Sequence, residues 1–122
     1  QLAGLLLWAV GFGWEVVADW QLMRFKQEPA NKGRILQSGL WALSRHPNYF
    51  GEMLLWWGIW LVALPFGSWA VALLSPLTIT WLLMRVSGVP MLEEKYEADP
   101  AYRQYAQRTN ALLPDLSKWW SD

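Results

Sequence analysis

The chain has 122 residues, enough for one domain at most, and its ten basic and ten acidic side chains cancel. The lack of cysteine excludes disulfides, thiolate zinc sites and thiol nucleophiles, and a single histidine excludes a histidine-based metal cluster within this segment. A net charge of zero gives no reason to expect a nucleic-acid partner. Eleven tryptophans and 54% hydrophobic residues instead indicate a chain that meets lipid.

The first predicted element is a membrane helix over residues 1–23. The sequence is apolar from Leu2 to Trp14, and a helix of about 20 residues spans roughly 30 Å of hydrocarbon. Glu15 and Asp19 share one face of it. Either they are solvated at the cytosolic end and pair with Arg24 and Lys26, or Asp19 faces a polar cavity. Because the chain begins inside this helix, we expect it to be part of a longer protein whose N-terminal helices complete the bundle.

A basic loop follows over residues 24–46. It contains a single acid, Glu28, against these cations: Arg24, Lys26, Lys32, Arg34 and Arg45. Pro29, Asn31 and Gly33 should break any helix there. Such a loop is expected in the cytoplasm. It is either an anion-attracting surface or a topology signal alone.

Residues 47–86 are predicted to form a helical hairpin. No charged residue occurs from Met53 to Met84, and one helix of that length would measure about 48 Å, too long for a single span. Residues 65–68 read as a tight turn, which gives helices over about 47–64 and 68–86. Pro47 suits a first helical turn, and Pro76 should bend the returning helix.

Residues 87–122 have the character of a cytosolic tail. Short amphipathic helices are predicted over 91–98 and 99–109, the second capped by Asp99 and Pro100, with Tyr102, Tyr105 and Ala106 on one face. The predicted fold is therefore all-α. It is a polytopic transmembrane bundle of about three membrane helices, one tight hairpin included, with short cytosolic amphipathic helices.

The candidate site lies in residues 44–52, where polar groups crowd the end of a membrane segment. Folding the hairpin should bring Arg85 beside Arg45 and His46, where a helix start offers free N–H groups to an anion. Asn48, Tyr49 and Glu52 can face one cavity a turn deeper, and an amide beside an acid suits a carboxamide.

Glu93 and Glu94 in the tail are placed to reach ribose hydroxyls, so the ligand indicated is nucleotide-like. Neither a P-loop nor a Rossmann turn is present. The alternative is a structural ion-pair cluster of Arg45, Glu52 and Arg85 that pins the ends of the hairpin.

The stretch GLWALSRHPNYFGEMLLWWG closely resembles the C-terminal signature of the steroid 5-alpha-reductase-like membrane proteins. The stretches ADWQLMRFK and YRQYAQRTNALLP, with Arg85, Glu93 and Glu94, resemble the rest of that region. The resemblance covers essentially the whole chain and is greatest to an uncharacterised bacterial group. It implies a membrane enzyme that uses NADPH to reduce an enone or sterol-like carbon–carbon double bond in a lipophilic substrate. We expect it in the bacterial inner membrane, with loop and tail cytoplasmic.

The resemblance also assigns roles. Asn48 and Glu52 would contact the nicotinamide end, and Arg45 and Arg85 the phosphates. The candidate catalytic residues are Glu52 and Tyr49. The complete cofactor-binding set is Lys32, Arg34, Arg45, His46, Asn48, Tyr49, Glu52, Arg85, Glu94, Tyr102 and Tyr105, the last three over the adenosine half. The groups that polarise the substrate carbonyl in this family lie in earlier helices, outside this sequence.

Two alternatives stay open. Isoprenylcysteine carboxyl methyltransferases, which use S-adenosylmethionine, share the Arg-His-Pro-x-Tyr core and the later Glu pair. They generally lack an acid at the position of Glu52 and often lack Asn at that of Asn48, which favours the reductase. A non-catalytic membrane module is the second alternative. Trp56, Trp57 and Trp60 either line a lipid-facing substrate slot or pack against neighbouring helices.

Overall fold

The computed structural model describes residues 1–86 and 89–119, and within them the chain is helical and free of β-strands. This confirms the all-α prediction. The helices are α1 (Leu2–Gln27), α2 (Pro47–Ala63), α3 (Trp69–Ala72), α4 (Leu74–Trp81), α5 (Val89–Tyr96) and α6 (Pro100–Arg108).

Three helical segments are long and apolar enough to cross a membrane. They are Leu2–Gln27, Pro47–Phe66 and Trp69–Tyr96, the last of which passes through residues 87 and 88, outside the described part of the chain. Their number matches the prediction. The protein is therefore an integral membrane protein.

The first helix is longer than the sequence predicted, because it ends at Gln27 and not at Met23. Arg24 and Lys26 lie in its last turn, where cations offset the negative end of the helix dipole. Glu28 is already extended, and Pro29 opens a short 3-10 turn. The basic loop thus starts with helical residues and folds into the turns Pro29–Asn31 and Gly39–Ala42.

The hairpin has its predicted start and turn. α2 begins at Pro47, and Leu64–Phe66 forms a 3-10 turn before Ser68 caps α3 by accepting a hydrogen bond from the Val71 N–H at 3.4 Å. The indole N–H of Trp57 donates to Thr80 Oγ1 at 3.0 Å, and that of Trp60 donates to the Trp69 carbonyl at 3.1 Å. Trp57 and Trp60 therefore pack against the returning helix. Of the two alternatives for these residues, a lipid-facing substrate slot or packing against neighbouring helices, this is the second.

Pro76 interrupts the returning helix as predicted. α3 ends at Ala72, four positions before Pro76, because a proline ring clashes with that carbonyl and has no N–H to donate to it. The helix resumes as α4 and becomes π-helical over Leu82–Val86. The predicted boundary between the hairpin, 47–86, and the tail adjoins residues 87 and 88, which lie outside the described residues.

Four glycines join α1 and α2 in an antiparallel pair whose backbones touch. A Cβ placed on Gly11 would lie 2.5 Å from the Leu55 nitrogen and 2.6 Å from the Gly51 carbonyl oxygen. One placed on Gly58 would lie 2.5 Å from the Trp8 nitrogen and 2.8 Å from the Gly4 carbonyl oxygen. Small residues allow such an approach, which helix pairs in lipid use because the hydrophobic effect does not drive them together.

Leucine at Gly11 is expected to separate α1 from α2, since the atoms it would meet belong to the backbone of α2. Overpacking of this kind should lower the free energy of unfolding by about 1–3 kcal/mol or more. Gly13→Leu is the matched control, because a Cβ at Gly13 meets nothing within 4 Å. Thermal unfolding of both variants in one detergent, followed by tryptophan fluorescence, measures the difference. Equal loss of stability in the two would contradict the close approach.

Candidate functional site

The loop before α2 is anchored on α1. Ala18 is fully buried and, with Leu40, Trp41 and Leu43, forms a small apolar core. The Trp41 indole N–H donates to the Ala18 carbonyl at 3.1 Å, and the Leu40 N–H donates to Gln21 Oε1 at 3.1 Å. These bonds satisfy buried polar groups and fix the residues that lead into His46.

The tail closes over this loop from the other side. Tyr105, 2% exposed, donates its hydroxyl proton toward the carbonyls of Trp41 and Ser44. The Ser44 hydroxyl donates to the Leu112 carbonyl at 2.8 Å, and the Arg45 N–H donates to the Asn110 carbonyl at 2.8 Å. α6 begins at Pro100 with Asp99 as its cap, and its face with Tyr102 and Tyr105 is buried, which confirms the predicted pattern.

Arg45 is held by the tail on two sides. Its Nε donates to the Thr109 carbonyl at 3.0 Å, and its Nη1 forms an ion pair with Glu93 of α5. The partner of Arg45 is therefore Glu93, and neither Glu52 nor Arg85 takes that place. The Arg45 side chain keeps 15% of its surface exposed, and that part faces a cavity.

His46 is 2% exposed and lies between helix α2 and the tail. Its backbone N–H donates to Ser44 Oγ at 3.1 Å, and its ring stacks on Tyr49 with ring centres 5.5 Å apart. Nε2 lies 3.5 Å from Glu93 Oε1 but forms no hydrogen bond in the described part of the chain. Burial lowers the pKa of His46, and the opposing effect of Glu93 is smaller. The ring is therefore neutral at pH 7.

Asn48 uses both ends of its amide. Its Oδ1 accepts from the Tyr49 N–H at 3.0 Å, and its Nδ2 donates to Asp19 Oδ1 at 3.3 Å. Asp19 thus contacts the site residue Asn48, while the Arg24 guanidinium lies 5.5 Å from the centre of the Trp20 ring. In the part of the chain that the structure describes, the second N–H of Asn48 has no partner, which leaves it for a ligand that offers an acceptor.

A cavity of about 640 Å³ lies between the end of α1, the basic loop, α5 and α6. This volume falls in the range of small-molecule and cofactor sites. Lys26, Lys32 and Arg34 line one edge, and within residues 1–86 and 89–119 none of them has a carboxylate within ion-pair distance. Tyr96 and Tyr102 stack on each other in the wall, with ring centres 5.2 Å apart. Two carboxylates, Glu28 and Asp99, also line the cavity, which therefore combines an excess of positive charge with aromatic surface.

The structure brings most of the predicted site residues to this cavity. Those that line it are Lys32, Arg34, Arg45, His46, Asn48, Tyr102 and Tyr105. The remaining four do not line it. Tyr49 stacks on the lining residue His46 but does not line the cavity itself. Glu52 is half-buried and lies near Glu15 and Tyr49. Arg85 and Glu94 are exposed. The convergence of Arg85 with Arg45 and His46 is thus not seen at this cavity.

Most of the other lining residues were not predicted; the charged and tyrosine residues among them are Lys26, Glu28, Tyr96 and Asp99, and the contact between Glu93 and Arg45 was missed as well. Lys26 follows the lining residue Leu22 by four positions, a helical spacing that could have indicated it. Tyr96 gave no such signal. Glu93 was considered as a ribose ligand, whereas in the structure it pairs with Arg45.

Fold and site together define an all-α integral membrane protein with a partly basic cavity at one end of its helices. Residues 1–109 match the family described as "Protein of unknown function (DUF1295)", which is the steroid 5-alpha-reductase-like family. The chain belongs to this family.

Several curated relatives are similar over part of their length. An uncharacterized protein of Schizosaccharomyces pombe is 36% identical over 104 residues, covering 79% of this chain and 29% of that protein. A steroid 5-alpha-reductase, DET2, of Gossypium hirsutum is 43% identical over 61 residues, 50% of this chain and 23% of that protein. A probable O-methyltransferase, ustE, of Ustilaginoidea virens is 44% identical over 46 residues, 38% and 16% of the two chains. The chain thus spans less than a third of each relative, and no solved structure matches it.

The lowered pKa of His46 predicts a specific loss of stability in acid. The unfolded chain takes up a proton at this residue near pH 6.5, roughly its ordinary value, while the folded chain does not. The stability that neutral His46 contributes to the folded chain is complete above about pH 6.5. It is lost as the pH falls toward the lower pKa of the folded state. Between about pH 8 and pH 5.5, the melting temperature of the parent should fall further than that of His46→Gln. Parallel curves for the two proteins would contradict a neutral, buried His46.

Proposed function

We propose that the protein is a membrane oxidoreductase that uses NADPH to reduce a carbon–carbon double bond, in an enone or sterol-like lipophilic substrate. Membership of the steroid 5-alpha-reductase-like family and the steroid 5-alpha-reductase relative support the reductase class. The observation that carries the proposal is the cavity itself. It is lined by cations that form no ion pair within the described residues, by tyrosine rings and by an amide that has one N–H without a partner among those residues.

The chemistry of the lining fits a pyridine dinucleotide. Lys32 and Arg34, with Lys26, would hold phosphates, because these cations have no carboxylate partner in the described part of the chain. The free N–H of Asn48 would donate to a carboxamide oxygen. Tyr102 and Tyr105 would adjoin the adenosine half. His46 Nε2, buried without a hydrogen bond, would gain a partner from any polar ligand atom beside it.

NADPH would supply the hydride, and the residues of this chain would bind and orient it. We assign Glu52 and Tyr49 as candidate catalytic groups on the resemblance; Glu52 lies one helical turn beyond Asn48 in α2. Arg85 and Glu94 stay predictions, since neither lines the cavity. The substrate would enter from the lipid bilayer and would meet its polarising groups on N-terminal helices of the same protein.

The orientation follows from the charge of the loop. The basic residues between α1 and α2 favour the cytoplasmic side, which would place the cavity and the tail there. We propose the bacterial inner membrane as the location.

A methyltransferase that uses S-adenosylmethionine is the second candidate. The probable O-methyltransferase relative, 44% identical over 46 residues, favours it. The charge of the cavity favours that cofactor less, because its sulfonium is a cation and the lining cations Lys26, Lys32, Arg34 and Arg45 outnumber the lining carboxylates Glu28 and Asp99.

Isothermal calorimetry of the detergent-solubilised, full-length protein with NADPH and with S-adenosylmethionine separates the candidates. We expect binding of NADPH alone. Arg34→Gln should weaken it by about 10–100-fold, the value of a hydrogen bond to a charged group. Arg24→Gln removes a nearby cation that does not line the cavity, and should leave the affinity unchanged.

Other outcomes decide against the proposal. Binding of S-adenosylmethionine alone would support the methyltransferase. Binding of neither cofactor would support a non-catalytic membrane module. If Arg34→Gln binds NADPH with the affinity of the parent, the phosphates bind at a different part of the protein.

A further inference from the structure

Glu93 does not itself line the cavity, but its carboxylate contacts two residues that do, Arg45 and His46. We call the pair Arg45 and His46 the basic corner. The Glu93 carboxylate forms an ion pair with Arg45 Nη1, and its Oε1 lies 3.5 Å from His46 Nε2. The Glu93 side chain is 25% exposed, so it reaches the corner from the surface of the tail.

The Glu93 carboxylate also makes the polar contacts between α5 and the loop. α6 and the residues after it are fastened by Tyr105 and by the bonds from Ser44 and Arg45 to tail carbonyls. Within the described residues, the polar contacts between α5 and the loop are those of Glu93. Release of that one side chain would leave α5 held to α6 by the Tyr96–Tyr102 stack and not to the basic corner.

We propose that Glu93 is an internal anion that holds the basic corner closed until a phosphate or similar anionic group of a ligand displaces it. The proposal rests on the function above for the identity of that ligand, and on the structure for the contact. A carboxylate and a phosphate use the same guanidinium donors, and the two negative charges repel each other at that distance. The corner therefore holds one of them at a time.

The exchange accounts for two features of the site. Arg45 is mostly buried, so losing Glu93 without a replacement would leave a costly unpaired charge, and the contact stays closed in the free protein. His46 Nε2 lies close to Glu93 without a hydrogen bond, so an incoming oxygen with better geometry would satisfy it. Displacement of Glu93 would lower the apparent affinity of the ligand, because part of the binding free energy opens the contact.

Glu93→Gln tests the proposal, with Glu97→Gln as the matched control. The control removes the same charge just beyond the end of α5, from an exposed residue that does not line the cavity and has no proposed role in binding. Without ligand, amide hydrogen exchange over residues 89–96 should be faster in Glu93→Gln than in the parent and unchanged in Glu97→Gln. Equal exchange in all three proteins would overturn the proposal, whatever the protein binds.

Calorimetry supplies the second measurement, with NADPH and with inorganic pyrophosphate as probes. Glu93→Gln should bind each about fivefold or more tightly than Glu97→Gln, because the opening of the contact no longer opposes binding. Weaker binding would show that Glu93 is itself a ligand contact, and equal binding in the two variants would show no competition; both overturn the proposal. If pyrophosphate follows the expected order and NADPH binds to no variant, the internal anion stands and the proposed reductase function fails. If neither probe binds any variant, both fail.

Discussion

The contact between the backbones of α1 and α2 is the constraint on which the rest of the structure depends. Gly4 and Gly11 on one helix meet Gly58 and Gly51 on the other, and the spacing of seven residues within each pair keeps the contact on one face for two turns. A close approach of this kind fixes both the separation of the helices and their register. It therefore sets which residues of α1 stand opposite the start of α2.

The site is a consequence of that register. More than one helical turn beyond Gly11, α1 makes three hydrogen bonds to the loop and the start of α2. Asp19 accepts from the Asn48 amide, and Gln21 accepts from the Leu40 N–H. The Ala18 carbonyl accepts from the Trp41 indole. The basic loop is held on α1 by these bonds, and the tail is held on the loop by Tyr105. The loop bonds to polar groups of α1, and the tail bonds to polar groups of the loop. A change in the separation or register of α1 and α2 would therefore also change the shape of the cavity. The candidate site is in this sense a product of packing within the membrane.

Much of this architecture could be predicted from local sequence. The apolar runs predicted the three candidate membrane spans. Pro47 predicted the start of α2, and Pro65 to Ser68 predicted the turn. Asp99 and Pro100 gave the start of α6. These succeed because a helix start, a turn or a span is determined by neighbours in the chain. The residues lining the cavity were partly predicted, since Arg45, His46 and Asn48 were recognised by their motif.

Contacts between distant residues could not be predicted in the same way. Arg45 and Glu93 are 48 positions apart, and the choice of Glu93 over its neighbour Glu94 depends on the rotation of α5 about its axis. Arg85 was expected at the cavity because a folded hairpin, bent at Pro76, should return it beside Arg45 and His46. The break before Pro76 and the π-helical segment Leu82–Val86 alter the direction in which residues near it point. The glycine spacing was visible in the sequence, but which glycines pair is decided by three-dimensional packing.

The dependence of the cavity on the tail also orders its formation in time. A polypeptide leaves the ribosome N-terminus first, so α1 and α2 emerge before α6 and Leu112 have been made. The Ser44 hydroxyl and the carbonyls that accept the hydrogen bond of Tyr105 must meanwhile be satisfied by water or by other groups. These two helices can therefore be inserted while the cavity is still open, and a chain that ends before Tyr105 would lack the contacts that hold the tail on the loop.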